Sequence, residues 1–126
     1  MSIEEINQAN LSQFTGTVNY TRFMGNLLQT DGVMFLVKNG AGWILDIIAS
    51  VRCLPKIRNE EKEFWTLKVD LEQHSAVITA TDGDKGYGPI QLYRQVIEYT
   101  DFPLKELKLY VIEDGPYKVV MLSTEY

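Results

Sequence analysis

Near residue 64 the spacing of apolar side chains changes period, and this change restricts the fold more than any other feature of the chain. From Ala41 to Leu54, before Pro55, apolar residues recur at helical spacing. Trp43, Ile47, Val51 and Leu54 share one face, and Ile44 and Ile48 widen it. From Phe64 to Leu71 the pattern alternates, with Trp65, Leu67, Val69 and Leu71 set against Thr66, Lys68 and Asp70. A helix repeats every ~3.6 residues and a strand every ~2, so one kind of element cannot satisfy both patterns. Helices come first, strands follow, and each must cover the other's apolar side.

The flanking segments extend this plan. Ser2 and Glu5 have capping-box spacing, and Ile3, Ile6 and Leu11 give an apolar stripe, which predicts a short helix over 3–13. Residues 19–29 stay open between helix and strand. Tyr20, Phe23, Met24, Leu27 and Leu28 fit helical spacing, Tyr20 to Arg22 also fits an extended chain, and Gly25-Asn26 weakens a helix. Thr30 and Asp31 suit an N-cap, and Asn39-Gly40 a C-cap, around a short helix carrying Val33, Met34, Leu36 and Val37. The helix from Gly42 to Leu54 is the expected buried centre. It is rich in β-branched residues, so packing must hold it.

Beyond the strand at 64–71, a turn at 72–75 leads to a strand over 76–81 and a glycine-rich loop over 82–89. A strand over 90–99 has imperfect parity, which a bulge or two covered faces would resolve. Residues 101–106 read as a turn with one helical turn. Residues 107–112 and 117–122 read as a hairpin around Gly115-Pro116, and 123–126 as a fraying tail. The expected architecture is α+β: two or three N-terminal helices packed on a four- to five-stranded antiparallel sheet, in one domain spanning 1–126.

Composition narrows the chemistry. The 126 residues carry a formal charge of −5, are 45% hydrophobic, and include one Cys and one His. That is too apolar for general disorder. One Cys cannot close an internal disulfide, and one Cys with one His cannot supply a Cys/His zinc set. No cofactor is expected. The acidic, polar N-terminus does not read as a signal peptide, and the stretch 41–54 reads as too short and too polar to span a bilayer. A cytoplasmic location follows as the expectation. Arg52, Lys56, Arg58 and Lys62 are the nearest approach to a basic patch, but Glu60, Glu61 and Glu63 blunt it, so nucleic acid is an unlikely partner.

The string Asp82-Gly83-Asp84-Lys85-Gly86-Tyr87-Gly88 is the most site-like. Counted from Asp82, a calcium loop would need Gly where Tyr87 stands and Glu where Tyr93 stands. It also contains no phosphate-binding glycine motif, so it reads as a hairpin loop. His74 reads as an exposed turn residue and Cys53 as a small buried hydrophobe. Asp46 lies inside an apolar helix with Ser50 one turn on. If the N-terminal segment packs there, Tyr20, Arg22, Asp46, Ser50 and Asp101 form a candidate polar cluster. The tyrosines crowd the C-terminal half, where strand propensity and interface chemistry both favour them. With the acidic residues of two turns, they define a candidate interaction surface of Asp82, Asp84, Tyr87, Tyr93, Glu113 and Asp114.

Several segments carry a resemblance. They are Asn10-Leu11-Ser12-Gln13-Phe14-Thr15-Gly16-Thr17, Asn19-Tyr20, Thr30-Asp31-Gly32-Val33, Asp46 with Ile48-Ala49-Ser50, Tyr99-Thr100-Asp101-Phe102-Pro103-Leu104, Leu107-Lys108-Leu109-Tyr110, and the closing Ser123-Thr124-Glu125-Tyr126. Together they resemble a small uncharacterised family of bacterial, plasmid and phage genomes. That resemblance implies no catalytic assignment, and it associates the chain with accessory or counter-defence roles. The leading expectation is a non-enzymatic domain that binds another protein or itself. The alternatives are a small enzyme using the Tyr/Arg/Asp cluster and a nucleic-acid-binding module with a positive patch over Arg52 to Lys62.

Overall fold

The alternating segment becomes the middle of a sheet. A computed structural model describes residues 6–15, 19–83 and 85–126. Strand β3 (Lys62–Asp70) buries Glu63, Trp65 and Leu67 on one side and directs Phe64, Thr66 and Lys68 to the other. It pairs antiparallel with β4 (Ser75–Thr81) and with β6 (Glu106–Asp114). β5 (Gln91–Ile97) continues beyond β4, and β7 (Tyr117–Leu122) beyond β6. The β4–β5 register shifts between Ala80 and Thr81, so the irregular parity of this strand is resolved by a bulge.

The sheet has seven strands, not the expected four or five. The additional pair is the segment left open between helix and strand. Residues 20–30 form β1 (Tyr20–Met24) and β2 (Leu27–Thr30), an antiparallel hairpin turning at Gly25-Asn26. Gly25 holds φ at +58°, a conformation that glycine adopts without a Cβ penalty. β2 then lies parallel to β7, so the sheet is antiparallel at every pairing except this one, in the order β1-β2-β7-β6-β3-β4-β5. Helical spacing misled here because the strands are short, and Leu27 and Leu28 lie on opposite sides of the sheet rather than on one stripe.

The helices cover one side. Thr30 ends β2 and caps α2 (Asp31–Leu36), its hydroxyl accepting from the Val33 N–H at 3.4 Å. At the other end Asn39 donates to the Phe35 carbonyl at 2.7 Å, and Gly40 takes φ +97°. The chain does not stop there. It kinks through Val37–Ala41 and continues as α3 (Gly42–Val51). Over Asp31–Val51 the paired helices are, by length and composition, apolar enough to cross a bilayer, contrary to the reading of 41–54 alone. Packing accounts for that apolarity: Val33, Leu36, Ile44, Leu45 and Ile48 are nearly solvent-free against Trp65, Leu67, Ile78 and Leu109. The face facing the sheet is thus Ile44, Ile48 and Val51. Trp43 and Ile47 pack at its margin, and Leu54 is exposed.

Four shorter pieces differ from expectation. The first helix is a single stretch, α1 (Gln8–Ser12), capped by Asn7; the Ser2–Glu5 box lies outside the described residues. Residues 55–58 form a short α4 (Pro55–Arg58) within the expected connection. Residues 101–105 are not helical. The tail does not fray: Ser123–Glu125 make a 3-10 turn whose Glu125 carboxylate is buried. It accepts from the Thr30 hydroxyl at 2.6 Å, the Leu122 N–H at 2.9 Å and the Gly32 N–H at 3.2 Å. A carboxylate there complements the positive end of α2 and ties the chain terminus to the first long helix.

Candidate functional site

With helices on one side only, the other side of the sheet is built from the outward residues of β3, β4, β6 and β7. Register places Phe64 beside Tyr110, Tyr110 beside Met121, Lys62 beside Ile112, and Ile112 beside Val119. The Phe64 and Tyr110 rings meet edge to face with centroids 4.9 Å apart, and Tyr126 folds back onto Tyr110 at 5.3 Å. Such tilted pairs suit the aromatic quadrupole. Lys62 donates to the Tyr126 hydroxyl at 2.8 Å and lies 5.5 Å from its ring centre. That hydrogen bond holds the ammonium above its ordinary pKa. An aromatic and aliphatic stripe therefore crosses three strands and ends at the chain terminus.

One end of the stripe is acidic. The Glu113 N–H donates to the Glu61 carbonyl at 2.8 Å, and Glu61, Glu113 and Asp114 are all exposed at this end of the sheet, Glu113 on the side of its register partner Lys118 and Asp114 on the side of the stripe. Glu60 is paired with Lys85 at 2.7 Å, and this bond raises the Lys85 pKa. Five of the seven tyrosines are exposed, from Tyr117 at 38% to Tyr87 at 91%.

Beneath the stripe, on the helix side, lies a buried ion pair. Lys118 reaches Glu63 at 2.6 Å and the Ile57 carbonyl at 2.8 Å, and Trp65 Nε1 donates to Glu63 at 3.0 Å. Glu63 is 1% exposed. Burial raises its pKa, and the hydrogen bonds from Lys118 and Trp65 only partly offset that effect. Sequence reasoning missed this group. An acid at an inward position of an alternating strand was its only local signal.

The residues singled out from sequence fall in several places. Tyr20 and Arg22 are exposed on the edge strand β1 and share the uncovered side of the sheet, since Arg22 pairs with Leu28 and Leu28 with Val119. Asp46 and Ser50 are exposed on α3, across the sheet from them, and Ser50 donates to its own helix at Ile47. Asp101 is exposed in the β5–β6 connection, beside a hollow it shares with Trp43 and Phe102. These five are not brought into one cluster. Asp82 is buried and accepts from the Ile90 N–H at 2.9 Å, closing its own loop. Gly83 in that loop packs so closely on the Phe64 ring that a Cβ would collide with it. Asp84 lies outside the described residues. Tyr87 is the most exposed of the tyrosines, whereas Tyr93 is half-buried on the helix side, with its ring 6.0 Å from Trp65 and its hydroxyl donating to Gln95. Glu113 and Asp114 end β6 on opposite sides of the sheet, Glu113 with Lys118 and Asp114 with the stripe. His74 is exposed at φ +55° beside Tyr99. Cys53 is exposed rather than buried, because α3 ends before it. Among the described residues no group of three or more His, Cys, Asp or Glu is placed to hold a metal ion.

The fold and this surface define a small α+β domain with helices on one side of a mixed seven-stranded sheet and an aromatic stripe on the other. The chain belongs to a family of unknown function, DUF6876, which matches residues 5–126. No curated protein and no solved structure matches it.

Proposed function

We propose that the domain is a non-enzymatic, cytoplasmic protein-interaction module that engages another protein through the uncovered side of its sheet. The observation carrying this reading is the Phe64–Tyr110–Tyr126 stripe with the exposed carboxylates of Glu61 and Asp114 at its end. Aromatic side chains bring large apolar area with little entropy loss, and tyrosine adds a hydrogen-bonding tip, so they supply interface anchors. A carboxylate rim accelerates encounter with a cationic partner and repels an acidic one. The partner is therefore a protein with a basic surface around an apolar centre. An accessory or counter-defence role, with the rim standing in for nucleic acid toward a basic defence protein, is the biological form of this reading.

The test is affinity capture from native host cells, followed by measurement of the assembly's mass. A basic partner held by the wild-type chain should be lost when Glu61→Lys and Asp114→Lys are combined, and when Tyr126→Ala is introduced. It should persist with Lys38→Ala on the helix side. A partner retained equally by all of these variants, or a homodimer as the sole assembly, overturns the reading.

A further inference from the structure

The end of α3, the short α4 and the turns of both flanking hairpins line a half-open cavity of about 440 Å³. Such a volume lies within the range of small-molecule sites, about 300–1,000 Å³. In a chain of net charge −5, its wall holds three cations, Arg52, Arg58 and Lys118, against one carboxylate, Glu113. Leu27, Pro116 and Tyr117 line it as well, so cationic groups and apolar, aromatic groups share the same wall.

The cations are not equivalent. Lys118 is matched by Glu63 at 2.6 Å. Arg52 is fixed by neutral partners: its Nη1 donates to Asn26 Oδ1 at 2.7 Å and to the Met24 carbonyl at 3.2 Å. Asn26 is held in turn by donating to the Pro116 carbonyl at 3.0 Å. Gly25 lies against the guanidinium, and a Cβ there would stand 2.7 Å from Nη2. Arg52 is thus oriented in advance without its charge being neutralised, and its Nη2 and Nε donors are engaged by no described residue. Arg58 is exposed on α4, where its backbone N–H donates to the Leu54 carbonyl at 2.8 Å, and its guanidinium makes no hydrogen bond or ion pair with the described residues. Glu113 is the one carboxylate that lines the cavity with Arg52 and Arg58. Of the basic run noted in the sequence, these two converge here, whereas Lys62 turns to the other side of the sheet to meet Tyr126.

We propose that this cavity binds a small phosphate monoester carrying an aromatic group, of the nucleoside 5′-monophosphate class. Two guanidinium forks suit a tetrahedral dianion better than a single ammonium does. Tyr117 and Pro116 supply the apolar surface for the ring. Glu113 excludes a second anionic group and can accept from a ligand hydroxyl or amine. The site stands apart from the sheet face of the preceding section, so either can fail without the other.

The test titrates the intact chain at low salt with AMP, with adenosine and with inorganic phosphate. AMP should bind saturably below about 1 mM, and adenosine and inorganic phosphate at least about tenfold more weakly. AMP affinity should fall with added salt. Arg58→Ala, at an exposed position, should weaken AMP by about tenfold or more, whereas Glu113→Gln should leave it equal or tighter. Cys53 lines the cavity and is exposed, so AMP should slow its alkylation by iodoacetamide in the unsubstituted chain. Adenosine or inorganic phosphate binding as tightly as AMP, unchanged affinity in Arg58→Ala, or Cys53 alkylation indifferent to AMP would each overturn the proposal.

Discussion

Replacing Lys118 with methionine isolates the buried ion pair. The change removes the 2.6 Å contact to Glu63 and the 2.8 Å bond to the Ile57 carbonyl, leaving a 1%-exposed carboxyl with Trp65 Nε1 as its remaining donor. Glu63 can avoid being a buried anion by taking up a proton. From an ordinary pKa near 4.5, that costs about 1.4 kcal/mol per pH unit, or about 3.4 kcal/mol at pH 7. This caps the charge penalty. The orphaned Ile57 carbonyl adds about 1 kcal/mol. The expected loss is therefore about 3–4 kcal/mol at pH 7, within the range seen when one partner of a buried pair is removed. At pH 5 the cap falls to about 0.7 kcal/mol, and the total to about 1.5–2 kcal/mol. The direction follows from linkage. A carboxyl whose folded pKa lies above its unfolded value contributes fully below the unfolded pKa, and that contribution is lost as pH rises through the folded one. Glu63 already sits on that side in the wild-type protein, and Lys118→Met moves it further. Urea unfolding followed by tryptophan fluorescence at both pH values measures the difference. Equal losses at pH 5 and pH 7, or a loss under about 1 kcal/mol at pH 7, would refute the reasoning. Glu63→Met combined with Lys118→Met should recover most of the stability, because a packed apolar pair needs no desolvation of charge.

Three further outcomes follow from the fold. Glu125→Ala strips acceptors from Thr30, Gly32 and Leu122, and should cost about 2–3 kcal/mol, with faster amide exchange at Gly32. Ile48→Ala opens a hole under the sheet at a residue 1% exposed, and should cost about 2–5 kcal/mol in denaturant unfolding. Asp46→Ala, on the wet side of α3, should stay within about 0.5 kcal/mol of wild type by the same assay.

Much of the fold was legible locally. The cap at Thr30, the break at Asn39-Gly40, the inward set Trp65, Leu67 and Val69, and the hairpin at Gly115-Pro116 each depend on residues a few positions apart. Amphipathic period and turn chemistry act at that range, so one sequence reveals them. The face that α3 turns inward was read one position off, because Trp43 and Ile47 belong to the same broad apolar stripe as Ile44 and Ile48, and only the sheet's position selects among them.

The sequence by itself determined that the helices over 31–51 precede the five strands over 62–122, where most of these elements begin and end, and which side of each long strand is apolar; it did not show that two strands, β1 and β2, come before those helices. Tertiary structure decided the rest. It made residues 20–30 a hairpin, since a four-residue strand becomes stable only when β7 completes its hydrogen bonds. It joined Glu63 to Lys118 across 55 positions and Thr30 to Glu125 across 95. It set Arg52 and Arg58 around one cavity while turning Lys62 away from it. Pairings at such separation have no local signature: their free energy exists only once burial has removed water from both partners, and burial belongs to the folded chain as a whole.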